Sequence, residues 1–338
     1  MDQQKLIAAI KQMEDRLHRN DINMREEITG PILDAIFDEN TILRKEIASG
    51  LTFDFYYRTK IARDFLLSEP DCPDHVWEPQ TTKLLTIFSR QAKNVLIGGA
   101  YFGDQALLVA KELAGQEGTV HCFEPNKDQY NMLKHNAERN GLGNIKAWRL
   151  GLWKNEEGRM KLIGDDSFAH AELVTESLEE DPAVFSTTSI DTYVKEQEIS
   201  KLDLILLDIE GLEQTVLQGA ESQLDLPAEE APHIIFEVHR HYVDWSNGLD
   251  QSDIVKYLQS FGYHIFALRD YNSNVDMAGK PVEIIPPDRV YLEGPPHGFN
   301  MIAVKNLSIL DDPMIKLCYD VSPKLLTHKK IYLHQPTE

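Results

Sequence analysis

The 338-residue chain has few cysteines and lacks any long apolar stretch. Its three cysteines, Cys72, Cys122 and Cys318, are far apart and form neither a C-x-x-C pair nor a zinc-binding spacing, which predicts reduced thiols in a cytoplasmic compartment. No run of about 18 apolar residues is present, so the sequence predicts no membrane-spanning helix. The N-terminus also lacks the basic start, apolar core and cleavage site of a secretory signal, and this again favours the cytoplasm.

Positive charge is scarce as well. The chain has 34 Lys and Arg residues against 55 Asp and Glu residues, a formal net charge of -21. A surface this acidic repels phosphate backbones and anionic membranes. We therefore expect neither a nucleic acid nor a membrane as partner, and look for a small-molecule ligand instead.

The composition and patterning divide the chain into three regions. Residues 1–75 are predicted to be helical, because Leu6, Ile10, Met13 and Leu17 follow the 4-3-4 spacing of a short coiled coil. Two interpretations of this segment stay open: a helical cap packed on the main domain, and an arm or lid whose helices form a homodimer. Residues 76–306 form the predicted main domain, and the polar, proline-containing residues 307–338 a peripheral C-terminal extension.

The main domain has an alternating pattern from about residue 94 onwards. Apolar segments typical of buried strands are separated by amphipathic helices of about 10–15 residues. The strand segments are NVLIGGA, TVHCFEP, IKAWRLGLW, LDLILLDIEG, HIIFEVH and HIFAL. This pattern predicts an α/β fold with a doubly wound, mostly parallel Rossmann-like sheet. The segment MIAVKN near residue 301 is a candidate antiparallel closing strand.

The ends of the first two strands carry the residues expected at a nucleoside site, since ligands of doubly wound sheets bind at the carboxyl ends of the strands. The first strand runs into a loop with Gly99, Ala100 and Gly103, and Asp104 opens the following helix. Glu124 directly follows the second strand, where a carboxylate can accept two hydrogen bonds from a ribose diol. The loop lacks the G-x-G-x-x-G spacing of dinucleotide sites, which favours S-adenosylmethionine over a nicotinamide cofactor.

Four segments resemble the FkbM-like family of S-adenosylmethionine-dependent methyltransferases: IGGAYFG, CFEPN, NMLKHNAERNGLGNI, and LDLILLDIEGLEQTVLQGA followed by IIFEVH. The resemblance covers roughly residues 76–305 and implies that Gly99, Ala100 and Gly103 form the cofactor loop and that Glu124 binds the ribose. It also implies that Asn126 positions this loop.

One departure from the family pattern lies before the glycine loop. The family has an Asp two residues before its G-A pair, near the methionine amino group, whereas this chain has Ile97. Asp104 or Glu78 is expected to take its place. After the third strand, Asp166 and Ser167 stand where such enzymes contact the adenine amine.

The chemistry is expected at the ends of the fourth and fifth strands, where Asp208, Glu210, Glu237 and His239 lie. Methyl transfer from a sulfonium needs mainly orientation, but a hydroxyl acceptor must also lose its proton. Two routes stay open. Asp208 and Glu237, with Glu210, could bind Mg²⁺ through oxygen ligands, or His239 or a carboxylate could act as a metal-free general base. For Glu213, in the first turn of the next helix, a capping role is as well supported as a catalytic one.

The leading hypothesis is O-methylation of a hydroxyl on a small metabolite, sugar or natural-product intermediate. Aromatic residues and one loop are expected to line the acceptor site: Trp77, Tyr101, Tyr242, Trp245 and residues 294–300. Two alternatives belong to other classes of protein. One is a nicotinamide-dependent oxidoreductase, and the other is a non-catalytic interaction protein on a methyltransferase fold, for which Ile97 is the best support.

Overall fold

The computed structural model describes residues 3–17, 23–68, 74–155, 159–164, 170–174, 181, 183–271, 274–292 and 298–325. The strands within these ranges are β1 (Ile42–Glu46), β2 (Thr52–Tyr56), β3 (Asn94–Gly98), β4 (Thr119–Phe123), β5 (Ile145–Trp148), β6 (Gly151–Leu152), β7 (Arg159–Ile163), β8 (His170–Leu173), β9 (Val184–Thr188), β10 (Leu204–Leu207), β11 (His233–His239), β12 (His264–Leu268), β13 (Asp270–Tyr271), β14 (Val282–Ile285), β15 (Gly298–Val304), β16 (Ile315–Leu317) and β17 (Lys324–Leu325).

The helices connect these strands and cover the sheet. They are α1 (Gln3–Arg16), α2 (Gly30–Asp34), α3 (Lys60–Leu67), α4 (Pro79–Ser89), α5 (Ala106–Ala114), α6 (Lys127–Arg139), α7 (Ile190–Glu196), α8 (Glu213–Leu217), α9 (Glu221–Leu224) and α10 (Asp253–Ser260). One π-helical turn and three 3₁₀ turns complete the set: Arg25–Thr29, Leu249–Gln251, Pro287–Arg289 and Leu307–Asp311. No helix among the described residues is both long and apolar enough to span a bilayer.

Nine strands form one central sheet in the order β16-β14-β12-β15-β11-β10-β3-β4-β5. The five strands from β11 to β5 are all parallel to their neighbours. Apolar clusters cover both faces of this parallel part, which is why its strands are apolar along nearly their whole length. The predicted doubly wound α/β sheet is confirmed. The closing strand is confirmed too, because β15 pairs antiparallel with both β11 and β12.

The N-terminal region is only partly helical, so the prediction of helix throughout residues 1–75 was wrong for β1 and β2. These strands form an antiparallel hairpin in which Leu43 pairs with Phe55. Burial alternates along β1 and Phe53 and Phe55 are fully buried, a strand pattern rather than a helical one. Gly50 supplies the turn with a φ of 82°. The helices on either side of the hairpin agree with the prediction.

The predicted coiled-coil seam of α1 packs within its own chain. Ile10 is buried in the same apolar cluster as Leu33 and Phe65, with Leu6 packed against it, whereas Leu17 is exposed. This burial agrees with the interpretation of the segment as a cap on the main domain. The homodimer stays a prediction.

The C-terminal residues are not peripheral, which corrects the prediction for the described part of residues 307–338. β16 adds a parallel strand to the central sheet beside β14, and β17 pairs with β13. The apolar side chains of this stretch, such as Val321 and Leu325, are buried. The sequence did not reveal these strands, because their apolar segments are short and are separated by polar residues. Residues 326–338 lie outside the described part.

An insertion between β5 and β10 forms a second, four-stranded sheet in the order β6-β9-β7-β8. The third predicted strand, IKAWRLGLW, divides into two at this point: β5 belongs to the central sheet and β6 to the insertion. The second sheet stands next to the carboxyl end of the central one, because Leu152 of β6 lies in the apolar cluster of Leu96 and Leu207.

Candidate active site

The register of the parallel strands brings four of the predicted site residues to one edge of the sheet. Four consecutive strand partners lie in line across the ladders: Phe123, Gly98, Leu207 and Phe236. The residues that directly follow them are Glu124, Gly99, Asp208 and Glu237. All four of these residues line one pocket, located where the strand order reverses between β3 and β10.

The loop after β3 approaches the end of β10 closely. A Cβ atom on Gly99 would lie 1.9 Å from the carbonyl oxygen of Asp208, and the φ of Gly99 is 80°, so only glycine fits. The backbone N–H groups of Gly99 and Ala100 both donate to the carbonyl oxygen of Phe123, at 3.0 and 3.1 Å. Asp104 also lines the pocket, and burial raises its pKa to about 6.

Glu124 organises the two loops on either side of it. One carboxylate oxygen accepts a hydrogen bond from the N–H of Tyr101 at 2.8 Å, and the other accepts from the N–H of Asn126 at 2.8 Å. The Asn126 side chain in turn caps α6 by accepting from the N–H of Asp128 at 2.9 Å. These bonds hold the glycine loop and the start of α6 in fixed positions around the carboxylate.

Three acids cluster at the ends of β10 and β11. One carboxylate oxygen from each of Asp208, Glu210 and Glu237 lies within 4.8 Å of the others. Burial raises the pKa of Asp208 well above its usual value, and the neighbouring Glu237 raises it further. Burial likewise raises the pKa of Glu237, with Glu210 adding to the effect. A divalent cation would relieve this repulsion, and its preferred oxygen ligands are present. The residues therefore fit the predicted Mg²⁺ site.

Glu213 holds the turn that carries Glu210. Its Oε1 accepts from the N–H groups of Ile209 and Gly211, at 3.1 and 3.3 Å. Burial raises the pKa of Glu213 to about 7. Glu210 itself has a φ of 55°, a conformation that non-glycine residues rarely adopt outside constrained sites. These bonds fix the turn before α8, which has no side-chain cap, so the predicted helix-capping role of Glu213 was wrong.

His239 ends β11 on the same face as Glu237 but does not line the pocket. Its Nδ1 accepts a hydrogen bond from the N–H of His241 at 3.2 Å, and its ring lies 4.8 Å from that of His241. Because Nδ1 accepts, a neutral ring carries its proton on Nε2. His239 would need to change tautomer before Nε2 could accept a proton, which makes the carboxylates better placed as a base.

Two acids of the pocket could replace the acid that is missing at position 97. Ile97 is fully buried in an apolar cluster. Both suggested substitutes, Asp104 and Glu78, line the pocket. Burial raises the pKa of Glu78 to about 7.

The apolar wall of the pocket was not foreseen from the sequence. It comes from the insertion sheet, through Leu152, Met160, Leu162, Ala171 and Phe185. The alternation of polar and apolar residues in RMKLI was the available signal for β7.

The predicted acceptor and adenine residues divide into three groups. Trp77 and Tyr101 line the pocket. Tyr242 and Trp245 do not line it, and Trp245 packs against Phe299 with ring centroids 5.6 Å apart. Three predicted features lie wholly or partly outside the described residues: Asp166, Ser167 and residues 294–297 of the loop.

Together, the strand order, the glycine loop after β3 and the acid after β4 agree with the arrangement expected of a nucleoside-cofactor site on a doubly wound sheet. Residues 98–265 match the family described as the methyltransferase FkbM domain, and this part of the chain belongs to that family. The family predicted from the sequence is therefore confirmed.

A curated relative is the hexuronic acid methyltransferase AglP of Haloferax volcanii, 27% identical over 150 residues, or 43% of this chain and 55% of the relative. The match thus spans about half of that relative's length.

The similarity of this chain to solved structures is weaker. A methyltransferase FkbM from Methylobacillus flagellatus is 14% identical with a TM-score of 0.37, covering 63% of this chain and 43% of that one. An O-methyltransferase from Bacillus cereus in complex with S-adenosylhomocysteine is 13% identical with a TM-score of 0.35, covering 88% and 97%. Such scores are too low to transfer a function.

Proposed function

We propose that this chain is an S-adenosylmethionine-dependent O-methyltransferase that acts on a hydroxyl group of a small, polyhydroxylated acceptor of the sugar class. The observation that carries the proposal is the single register line that presents Glu124, Gly99, Asp208 and Glu237 to one pocket. The methyltransferase FkbM domain supports the reaction class.

The cofactor would lie across the first half of this line. Glu124 is placed to accept hydrogen bonds from the ribose diol, and the loop from Gly99 to Gly103 allows close approach of the backbone. The apolar wall formed by Met160 and Phe185 suits the adenine ring. The adenine contacts of Asp166 and Ser167 stay a prediction.

The acceptor would lie over Asp208 and Glu237. Burial and the neighbouring acids raise the pKa values of both carboxylates, which makes either one a stronger base towards a hydroxyl than an exposed Asp or Glu. In the second route that the site allows, the carboxylates of Asp208, Glu210 and Glu237 hold Mg²⁺, which lowers the pKa of the acceptor hydroxyl when bound. In both routes Asp208 and Glu237 fix the acceptor oxygen next to the sulfonium carbon, and His239 remains the alternative base.

The charge of the pocket limits the class of acceptor that it can bind. None of the described residues that line it is Lys, Arg or His, whereas six are Asp or Glu. A neutral polyol can approach such a surface directly. An acidic sugar, the substrate class named for the Haloferax volcanii relative, would need a cation beside Asp208 and Glu237.

The experiment is a calorimetric titration of the full chain with S-adenosylhomocysteine, with and without Mg²⁺, and with NAD as control. Micromolar binding of S-adenosylhomocysteine is expected. Methyl transfer is then assayed with a hexuronic acid and a neutral hexose, with and without Mg²⁺. Binding of NAD alone would favour the oxidoreductase alternative, and binding of neither ligand would favour the non-catalytic alternative.

A further inference from the structure

Glu78 directly precedes α4 and has an unusual backbone conformation. Its φ of 48° is left-handed, and its side chain makes no capping hydrogen bond to the helix that it precedes. Left-handed non-glycine residues cost energy and cluster at functional sites. Three of the six such residues described in this chain, Glu78, Tyr101 and Glu210, line the pocket. Glu78 is only 8% exposed, although it lines the pocket.

Asp270 performs the capping that Glu78 does not. Its carboxylate accepts from the N–H groups of Gln80 and Thr81, at 2.9 and 2.8 Å, and from the hydroxyl of Thr81 at 2.7 Å. The free N–H groups at the start of α4 are thus satisfied from another part of the chain. This leaves the carboxylate of Glu78 available for a ligand.

Asn300 holds Glu78 in place and has one unused acceptor. Its Nδ2 donates to Oε2 of Glu78 at 2.7 Å and to the hydroxyl of Thr81 at 3.1 Å. Because the Thr81 hydroxyl donates to Asp270, it must accept from Asn300, which fixes the orientation of the amide. Oδ1 of Asn300 then has no donor among the described residues, although Asn300 is only 1% exposed. A buried acceptor without a donor is costly.

We propose that Glu78, held in place by Asn300, binds the α-ammonium group of S-adenosylmethionine, an assignment that rests on the proposed function. Burial raises the pKa of Glu78, and the positive charge of Lys324 offsets part of this effect. An ammonium group would add further positive charge and N–H donors for the carboxylate. A sulfonium has no such donors. Ile97 lies in the same apolar cluster as Leu84 and Leu85 of α4, so an acid there would point to the side of the sheet on which Glu78 stands.

The test compares two ligands that differ in the amino-acid part. S-adenosylhomocysteine carries the ammonium group, and 5′-methylthioadenosine retains the nucleoside but lacks it. Both are titrated by calorimetry, in EDTA, into the wild type and the E78Q, N300S, D104N and E138Q variants. E78Q is expected to weaken S-adenosylhomocysteine binding about tenfold or more, the loss of a charged hydrogen bond, and to leave methylthioadenosine binding unchanged. N300S should show the same selectivity with a smaller loss, because it removes the hydrogen bond that positions Glu78. D104N tests the other candidate acid, and E138Q, on the exposed side of α6, is the control.

The outcomes separate this inference from the proposed function. Unchanged binding of S-adenosylhomocysteine by E78Q, or an equal loss for both ligands, overturns the assignment while the proposed function stands. A selective loss in D104N but not in E78Q assigns the ammonium group to Asp104 instead. If the wild type binds neither ligand, the proposed function fails and this assignment with it. Unchanged methylthioadenosine binding also shows that each variant is folded, and N300S tests the site independently if E78Q does not fold.

Discussion

Asn136 forms a reciprocal pair of hydrogen bonds with the backbone of Asp54. The N–H of Asp54 donates to Oδ1 of Asn136, and Nδ2 of Asn136 donates to the carbonyl oxygen of Asp54, both at 2.9 Å. The same Nδ2 donates to the carbonyl oxygen of Phe102 at 2.9 Å. One buried side chain on α6 thus joins the N-terminal hairpin to the glycine loop that lines the pocket.

This connection predicts a large effect of N136A on stability. The substitution leaves three buried backbone groups without partners, so we expect a loss of about 2–4 kcal/mol in the free energy of unfolding. Denaturant titration measures it. N140A is the graded control, because Asn140 makes a similar pair with Thr52 at 2.8 Å but is only half-buried, and it should cost less. Equal losses in the two variants would contradict a special role for Asn136.

The ribose assignment predicts that E124Q weakens binding of both S-adenosylhomocysteine and 5′-methylthioadenosine. We expect a decrease of about 10- to 100-fold, since one charged hydrogen bond contributes about 1.5–3 kcal/mol. Calorimetry measures the decrease, and thermal melting checks that the loops bonded to Glu124 remain folded. Glu138 on the exposed side of α6 supplies the control, E138Q, which should bind like the wild type. Wild-type affinity in E124Q would rule out the ribose role.

The central sheet and the strand-end acids could be predicted because both follow from local patterns. Apolar runs end at Phe123, Leu207 and Phe236, and each is followed directly by an acid. Parallel strands collect their carboxyl ends at one edge, so the cluster of Asp208, Glu210 and Glu237 follows from strand order alone.

The network around Glu78 could not be predicted in the same way. Glu78 and Asn300 are 222 residues apart, and Thr81 and Asp270 are 189 apart. Contacts between residues so far apart leave no periodic pattern in the sequence. The only indication of this network was a polar residue, Asn300, inside the apolar segment FNMIAV. The hairpin of β1 and β2 was missed for a related reason: its strands are short and lie between helices.

The acid cluster predicts that D208N stops turnover but not cofactor binding. Loss of a base or metal ligand at the acceptor should lower kcat by about 10²- to 10⁴-fold. S-adenosylhomocysteine affinity should change little, because Glu124 and the glycine loop remain. Any Mg²⁺ dependence of the wild type should disappear in D208N. The exposed Asp225 supplies the control, D225N, with wild-type kinetics expected. Full activity in D208N would rule out a role for Asp208 at the acceptor site.

The buried His121 predicts a specific dependence of stability on pH. Its Nδ1 lies 2.8 Å from the hydroxyl of Tyr193, and burial lowers its pKa to about 4, with Lys146 contributing. The unfolded chain binds this proton near pH 6.5 and the folded chain near pH 4, so the stability present above pH 6.5 is lost as the pH falls towards 4. Between pH 6.5 and pH 4, the free energy of unfolding should decrease by about 3 kcal/mol more in the wild type than in H121Q.

The comparison with H121Q isolates His121 from the other titrating groups. His75 also has a pKa lowered to about 4 by burial, but it is present in both proteins and cancels in the difference. The free energies of unfolding are measured by denaturant titration at pH 7 and pH 4. A protonated His121 would place a charge beside the hydroxyl of Tyr193, which Trp148 also contacts. Parallel pH profiles of stability for the two proteins would contradict the prediction, because they would mean that the fold does not hold the His121 ring neutral.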